Sequence, residues 1–239
     1  MKYLDTKLLT PEANLACDEA LLDFCEEGYP HEIIRFWEPA KTFVVLGYSN
    51  KISDEVNLFC CQKNQIPVFR RVSGGGAVLQ GPGCLNYSLI LKISRSRKLE
   101  SITQTNRYVL QKNKTALEKI LGKPVQIQGH TDLTLRNQKF SGNAQRRKRN
   151  FLLFHGTFLI ELDITLMGKL LPLPSKRPAY RQNRSNKDFL THLQLSRLRI
   201  KKALRQAWGA QTRMEEIPEE KIKKLTEEKY SKAEWNFKF

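Results

Sequence analysis

The sequence predicts an α+β fold, a mixed β-sheet flanked by helices, on three observations. Short runs rich in β-branched and aromatic residues crowd the stretch from Glu32 to Ile160, helical spacing takes over beyond about residue 162, and no internal repeat divides the 239 residues. A regular doubly wound sheet would instead alternate strand and helix along the whole chain. The length, with 40% hydrophobic residues, suffices for one domain over residues 1–239, whose helical C-terminal portion begins at about 162.

Thr10-Pro11-Glu12 supplies an N-cap, a proline at the first helical position and an acid near the positive end of the dipole, so a helix should run from there to Gly28. Leu15, Leu21, Leu22 and Cys25 can share its apolar side. Residues 12–27 carry six acids and no Lys or Arg, an acidic face expected to be exposed to solvent. Strands are predicted at 32–37, 42–46, 67–72, 77–80 and 85–91, punctuated by Glu38-Pro39, Gly47 and Ser73-Gly74-Gly75-Gly76. Ile102 to Leu121 has helical spacing and stops at Gly122-Lys123-Pro124. Strand-like runs at 125–128, 133–135 and 151–160 complete the sheet. Pro172, Pro174 and Pro178 mark a connecting loop, and helices follow at 194–208 and 219–228.

Lys plus Arg number 41 against 24 Asp plus Glu, a formal charge of +17, so the partner should be negative. The start, Met1-Lys2-Tyr3-Leu4-Asp5, lacks the order of a signal peptide, and no run approaches the roughly 18 apolar residues that span a bilayer, which predicts a soluble cytoplasmic protein without a membrane partner. Five cysteines, Cys17, Cys25, Cys60, Cys61 and Cys84, have neither the spacing of a zinc site nor that of a disulfide framework.

Chemistry concentrates in two segments. Arg70-Arg71-Val72-Ser73-Gly74-Gly75-Gly76-Ala77-Val78 puts two cations beside a triple glycine between strand-like runs. Glycines let an anion approach the main chain, and guanidinium groups can bind it bidentately, which suits a phosphate or carboxylate. It is neither a P-loop nor a dinucleotide-binding fingerprint, and a triple glycine alone is a flexible hairpin loop. The second segment holds Gly129-His130-Thr131-Asp132-Leu133, then Lys139 and Phe140 ahead of Ser141-Gly142-Asn143-Ala144-Gln145, then His155-Gly156-Thr157. Lys139, before an expected small-residue turn, could set a compact positive charge against a developing phosphate or acyl oxygen, or be a solvated hairpin residue. Asp132 could hold magnesium or serve as a turn acid, and His155 could be a core histidine. Arg146-Arg147-Lys148-Arg149, and eleven Lys or Arg against one acid over residues 169–205, add basic surface. No nucleic-acid motif accompanies them, so a nucleic-acid partner rests on charge alone.

Together with Leu85-Asn86-Tyr87-Ser88 and the closing Glu234-Trp235-Asn236-Phe237, these segments resemble the lipoate–protein ligase family in their order and separation. The resemblance implies the biotin/lipoate ligase catalytic-domain fold, similar to class II aminoacyl-tRNA synthetases, without the family's C-terminal accessory domain. It implies a reaction in two steps: ATP with Mg²⁺ activates lipoate or octanoate as acyl-AMP, and a carrier lysine then takes the acyl group. By position, Lys139 is implied as the catalytic residue. Arg71, Ser73, Gly74, Gly75, Gly76, Ala77, Val78 and Leu79 would bind ATP and the acyl-adenylate. Asn86, Ser141, Gly142, Ala144, His155, Gly156 and Thr157 would line the lipoyl pocket, with Asp132 a candidate magnesium ligand. The implied partners are acidic lipoyl carrier domains, of the glycine-cleavage H protein or 2-oxoacid dehydrogenase E2 type, and a separate accessory-domain protein. The family commonly carries a His-Asp pair just after the glycine loop, where this chain has Leu79-Gln80-Gly81-Pro82-Gly83-Cys84.

Two other readings compete. An octanoyl- or lipoyl-transferase of the same fold passes the acyl group through a cysteine thioester; no cysteine follows Cys84, far upstream of Lys139, so Cys84, in the glycine-rich stretch, is the thiol that could approach the pocket. A non-catalytic module that binds nucleic acid or acidic carriers is the alternative outside enzymology, distinguished by steep salt dependence on generic DNA.

Overall fold

The computed structural model of the chain describes residues 1–173 and 177–239; of the loop prolines, Pro174 lies outside the described residues. In chain order the elements are β1 (Lys2–Asp5), α1 (Pro11–Glu26), β2 (Ile33–Trp37), β3 (Phe43–Leu46), α2 (Ile52–Glu55), α3 (Leu58–Lys63), β4 (Val68–Arg70), β5 (Val78–Gln80) and β6 (Cys84–Lys92). There follow α4 (Ile102–Leu121), β7 (Gln126–Gln128), β8 (Asp132–Leu135), β9 (Gln138–Arg147), β10 (Phe151–Leu159), α5 (Ile164–Leu170), α6 (Asn186–Phe189), α7 (Arg197–Trp208), β11 (Thr212–Arg213), α8 (Glu219–Leu225) and α9 (Ala233–Asn236). The α+β class holds. The helix starts follow from capping: Thr10, Ser101 and Ser196 accept from Ala13, Gln104 and Arg199 amides, and α4 and α7 stop at left-handed Gly122 and Gly209.

The strands form two sheets rather than one. The larger is mixed, in the order β11-β1-β2-β6-β10-β9-β8-β7, and β6, β10 and β9 are its long antiparallel centre. On one face α4 and α7 pack through Val109, Leu110, Leu117, Ile200 and Leu204 against Phe36, Leu85 and Phe154. On the other, α1 buries Leu15, Leu21 and Leu22 against Ile33, Ile90 and Leu153. The smaller sheet, β4-β3-β5, pairs β3 parallel to β4 and antiparallel to β5, so residues 71–77 must arch over the end of β3.

Three expectations are corrected. The acidic face of α1 is not free in solvent: Asp18 is buried against Arg35, while Glu19 binds Lys229, Asp23 binds Lys148 and Glu27 binds Lys221. Ser141-Gly142-Asn143 is not a turn but the middle of β9, ten residues long; the turn lies earlier, where Arg136 and Asn137 adopt positive φ between β8 and β9. The segment between β3 and β4 carries two short helices, α2 and α3, that the strand-dominated reading did not foresee.

Candidate active site

The glycine loop is held from beneath. Arg71 is buried, and its guanidinium donates to Gly74 O and to Gly76 O (3.0 Å), to Val45 O (3.3 Å) and through Nε to Ser73 Oγ (3.0 Å). Burial lowers its pKa to about 10, so it stays charged near neutrality. Arg70 is turned inward too: Nη1 donates to the carbonyls of Gly47 and Asn50, each at 2.8 Å, and Nε to that of Asn236. Asn236 Oδ1 accepts from Arg70 N, and Trp235 Nε1 donates to Arg70 O, which explains why the closing Trp-Asn motif accompanies the arginine pair. Arg71 therefore braces the glycine loop and Arg70 the neighbouring 47–50 turn, where the sequence suggested a clamp on an anion. Gly47 lets the loop come this close, since a Cβ there would meet Gly75 O at 1.8 Å, and Gly75 has φ +91°. Glu55, at the end of α2, accepts from Ala77 N at 2.9 Å.

Beneath the loop runs a buried polar chain. Ser73 Oγ and His155 Nε2 are 2.6 Å apart, His155 Nδ1 is 3.4 Å from Asp18 Oδ2, and Asp18 Oδ1 accepts from Arg35 at 2.6 Å. Ser88 Oγ donates to Asp18 Oδ2 at 2.7 Å. Burial pushes the Asp18 carboxyl up, but Arg35 and the hydrogen bonds from His155 and Ser88 carry it below its ordinary value. The serine–histidine–aspartate order matches a nucleophilic triad in outline only. Ser73 has no solvent exposure and its oxygen accepts from Arg71, so the chain ties the loop to the sheet.

Lys139 stands near the start of β9. Its Nζ is 2.8 Å from Asp132 Oδ1, and Asp132 Oδ2 accepts from Tyr180 Oη at 2.7 Å. The lysine has room because residue 142 is glycine: a Cβ there would lie 2.8 Å from Nζ. With both oxygens engaged, Asp132 orients Lys139 in this arrangement, and the described residues contain no cluster of three or more metal-ligating side chains. Next to the lysine, Gln80 Nε2 donates to Thr157 Oγ1 (2.7 Å), Asn86 Nδ2 to Gln80 Oε1 (2.9 Å), and Thr157 Oγ1 to Asn86 Oδ1. Gln80, from the segment just after the glycine loop, thus takes part in the cavity wall.

All this surrounds one cavity of about 490 Å³. Arg71, Gly75, Gly76, Ala77 and Val78 line it on the loop side; Asp132, Lys139, Gly142 and Ala144 come from β8 and β9; Asn86, His155, Gly156 and Thr157 come from β6 and β10. Ser73, Gly74, Leu79 and Ser141 do not line it; Ser73, Leu79 and Ser141 are buried behind the wall. The sequence reading missed Asp18, Trp37, Tyr87, His130, Asn143, Arg177 and Arg181 among the lining. Of these, His130, Asn143 and Tyr87 lie inside the motifs of the sequence. Leu15, Trp37, Val45 and Val78 give the cavity an apolar end. A larger groove of about 850 Å³ between α4 and α7 contains neither loop residues nor Lys139; these meet in the smaller space.

None of the five cysteines lines this cavity. Cys84, at the start of β6, is buried and its thiol is pushed up to about 12 by desolvation. Cys17, beside Asp18, is likewise buried and raised to about 11. Neither is an ionised nucleophile near neutral pH. Among the described residues no helix is long and apolar enough to cross a membrane.

Residues 10–203 match the family model of the lipoyl protein ligase A/B catalytic domain. Among curated proteins, the probable lipoate-protein ligase A of Mycoplasma pneumoniae is 35% identical over 161 residues, which cover 67% of this chain and 46% of that protein. The chain thus spans about half the length of that relative. Octanoyltransferase LipM of Halalkalibacterium halodurans is 28% identical across 99% of this chain and 98% of its own. Among solved structures, lipoate-protein ligase A bound with ATP superposes with a TM-score of 0.79 at 25% identity, covering 99% of this chain and 98% of the other.

Proposed function

The chain belongs to the lipoyl protein ligase A/B catalytic-domain family, and from that premise we propose that it is an ATP-dependent lipoate–protein ligase. In this reading a lipoate or octanoate carboxylate oxygen attacks the α-phosphorus of ATP, the bond to pyrophosphate breaks, and acyl-AMP remains in the cavity. The ε-amine of a carrier lysine then attacks the acyl carbon, loses a proton to solvent and expels AMP. One observation carries the choice of mechanism: the cavity holds Lys139 and the glycine loop but no thiol. An acyl group that cannot rest on a cysteine must be activated by other means, and glycine-loop amides together with an ammonium are chemistry suited to an anion such as phosphate.

Each residue takes a role that its contacts support. Lys139 supplies positive charge to the phosphoryl oxygens in the first step and to the carbonyl oxygen in the second, where negative charge develops. Asp132 and Gly142 aim it. Gly75 and Gly76 offer close main-chain approach to the nucleotide. Arg71 is a positioning residue that shapes the loop and adds charge behind it. The acyl tail points to the apolar end formed by Leu15, Trp37, Val45 and Val78. Magnesium arrives with ATP as part of the substrate. The +17 surface favours acidic lipoyl domains, of H-protein or E2 type, as carriers, and would speed encounter more than it tightens binding.

The full-length likeness to an octanoyltransferase favours a second reading, transfer from an acyl thioester without ATP. The two separate in one paired assay: protein and an apo lipoyl domain with either Mg-ATP and octanoate or octanoyl-acyl carrier protein, following AMP release and carrier mass together. The ligase reading expects both to rise in equal amounts; carrier acylation from octanoyl-acyl carrier protein alone, with no AMP, would replace it.

A further inference from the structure

A second hydrogen-bonded chain crosses the molecule from α7 to the cavity, and it has a direction. Trp208 Nε1 donates to Asn113 Oδ1 at 2.8 Å, and Asn113 Nδ2 donates to Tyr87 Oη at 2.9 Å. Tyr87 Oη donates to Asn143 Oδ1 at 2.6 Å, and Asn143 Nδ2 donates to Thr131 O at 2.7 Å. Asn113 and Tyr87 have no solvent exposure, and Trp208 is 7% exposed. Along such a chain the polarity follows from one end. An indole N–H can only donate, so the Asn113 oxygen must face it and the Asn113 NH₂ must face Tyr87. The Tyr87 hydroxyl accepts there and has its single proton left for Asn143. The Asn143 oxygen is then taken, and its NH₂ is turned to the Thr131 carbonyl.

We propose that Trp208 and Asn113 are positioning residues for the cavity, which fix through Tyr87 the way the Asn143 amide faces and so anchor the strand entry that carries Asp132. Thr131 lies between His130 and Asp132, and all three line the cavity. Were the Asn143 amide reversed, its oxygen would face the Thr131 oxygen and the anchor would become a repulsion. Two further features belong to the device. Gly156 is required beside it, since a Cβ would sit 1.8 Å from Asn143 Oδ1 and 2.9 Å from Tyr87 Cε1. The Tyr87 ring is stacked on Phe158 at 5.2 Å between centroids, which holds the hydroxyl in place, and burial raises its pKa so that the proton stays on. The inference bears on catalysis only through the proposed role of Lys139, whose partner Asp132 the anchored segment holds.

The test uses the full chain and two readouts. Trp208→Phe and Tyr87→Phe are each made in the native and in the Asn143→Ala background, with thermal melts to select folded variants; the two substitutions act at different links, so either one suffices. In ATP-dependent acylation of an apo lipoyl domain, each should lower kcat about tenfold while the KM for ATP stays within about twofold. In the Asn143→Ala background the same change should cost less than about twofold, because the chain is already cut. By ¹H–¹⁵N NMR, the Asn143 side-chain amide should lose its exchange protection in both single variants. Equal losses of kcat in the two backgrounds, an unchanged kcat, or an unaltered Asn143 amide signal would overturn the proposal. If the native protein shows no ATP-dependent acylation, the ligase reading fails, and the amide signal alone still decides the inference.

Discussion

The ammonium of Lys139 and the carboxylate of Asp132 meet at 2.8 Å inside the cavity that the glycine loop walls. An ion pair in this place holds a cation ready without leaving it exposed: the lysine side chain is 26% accessible and the aspartate 10%. An incoming phosphate or acyl oxygen has only to share the ammonium with Asp132. The pair is thus pre-organised for charge that appears during reaction.

Replacement of that ammonium should therefore abolish turnover and spare the fold. Lys139→Met is expected to reduce acylation by about 10²–10³, the usual effect of losing one such contact, with a melting temperature near that of the native chain. Gly142→Ala should act by displacement, since its Cβ would contact Nζ at 2.8 Å. A Lys139→Met variant that retains more than about a tenth of the activity would contradict the assignment.

The loop geometry predicts a selective effect on nucleotide. Gly47→Ala puts a methyl group where Gly75 O now stands, so the loop must lift from β3. Isothermal titration should show a marked loss of affinity for Mg-ATP, with octanoate affinity little changed. Equal loss for both ligands would mean general unfolding of the cavity.

The thiols should be dispensable. Cys84→Ala should keep most of its activity, and iodoacetamide should label Cys84 slowly at pH 7, since burial holds the thiol near 12. Loss of all carrier acylation in Cys84→Ala, in a protein that still melts cooperatively, would point to a thioester route.

Acid should weaken the site through Asp18. Its folded pKa is depressed, so the folded state binds fewer protons than the unfolded chain. The stabilisation is complete above the unfolded carboxylate value, about 3.9, and is lost as pH falls through the lower folded value. Asp18→Asn should cost about 3–5 kcal/mol near neutrality, as expected when a buried guanidinium loses its partner, and the variant's melting temperature should fall less steeply as the pH is taken below about 4, the unfolded carboxylate value. A melting temperature unchanged by the substitution at pH 7 would refute it.

Much of the fold was legible because local signals agreed. The caps at Thr10, Ser101 and Gly122 and the apolar spacing of α1 and α4 point to the elements observed. Lys139 and the glycine loop were legible as motifs, and the structure brings both to one cavity. What escaped depends on contacts distant in sequence. Asp18 sits in an acidic run that looks solvated, and only the packing of β2 against α1 supplies Arg35. The arginine pair looks like an anion clamp because the sequence does not show that β4 and β5 flank β3, which brings loop carbonyls over the guanidinium. Glycine and asparagine in β9 imitate a turn, whereas there they make room for Lys139 and anchor Thr131.

Adenylation supported by Lys139 can be read without the carrier. The native chain, incubated with Mg-ATP and octanoate, is examined by native and denaturing mass spectrometry. If Lys139 supports adenylation, a non-covalent complex with octanoyl-AMP forms, disappears on denaturation and is absent in Lys139→Met. An octanoyl group that stays covalently attached after denaturation, or no adenylate in the native complex, would contradict it.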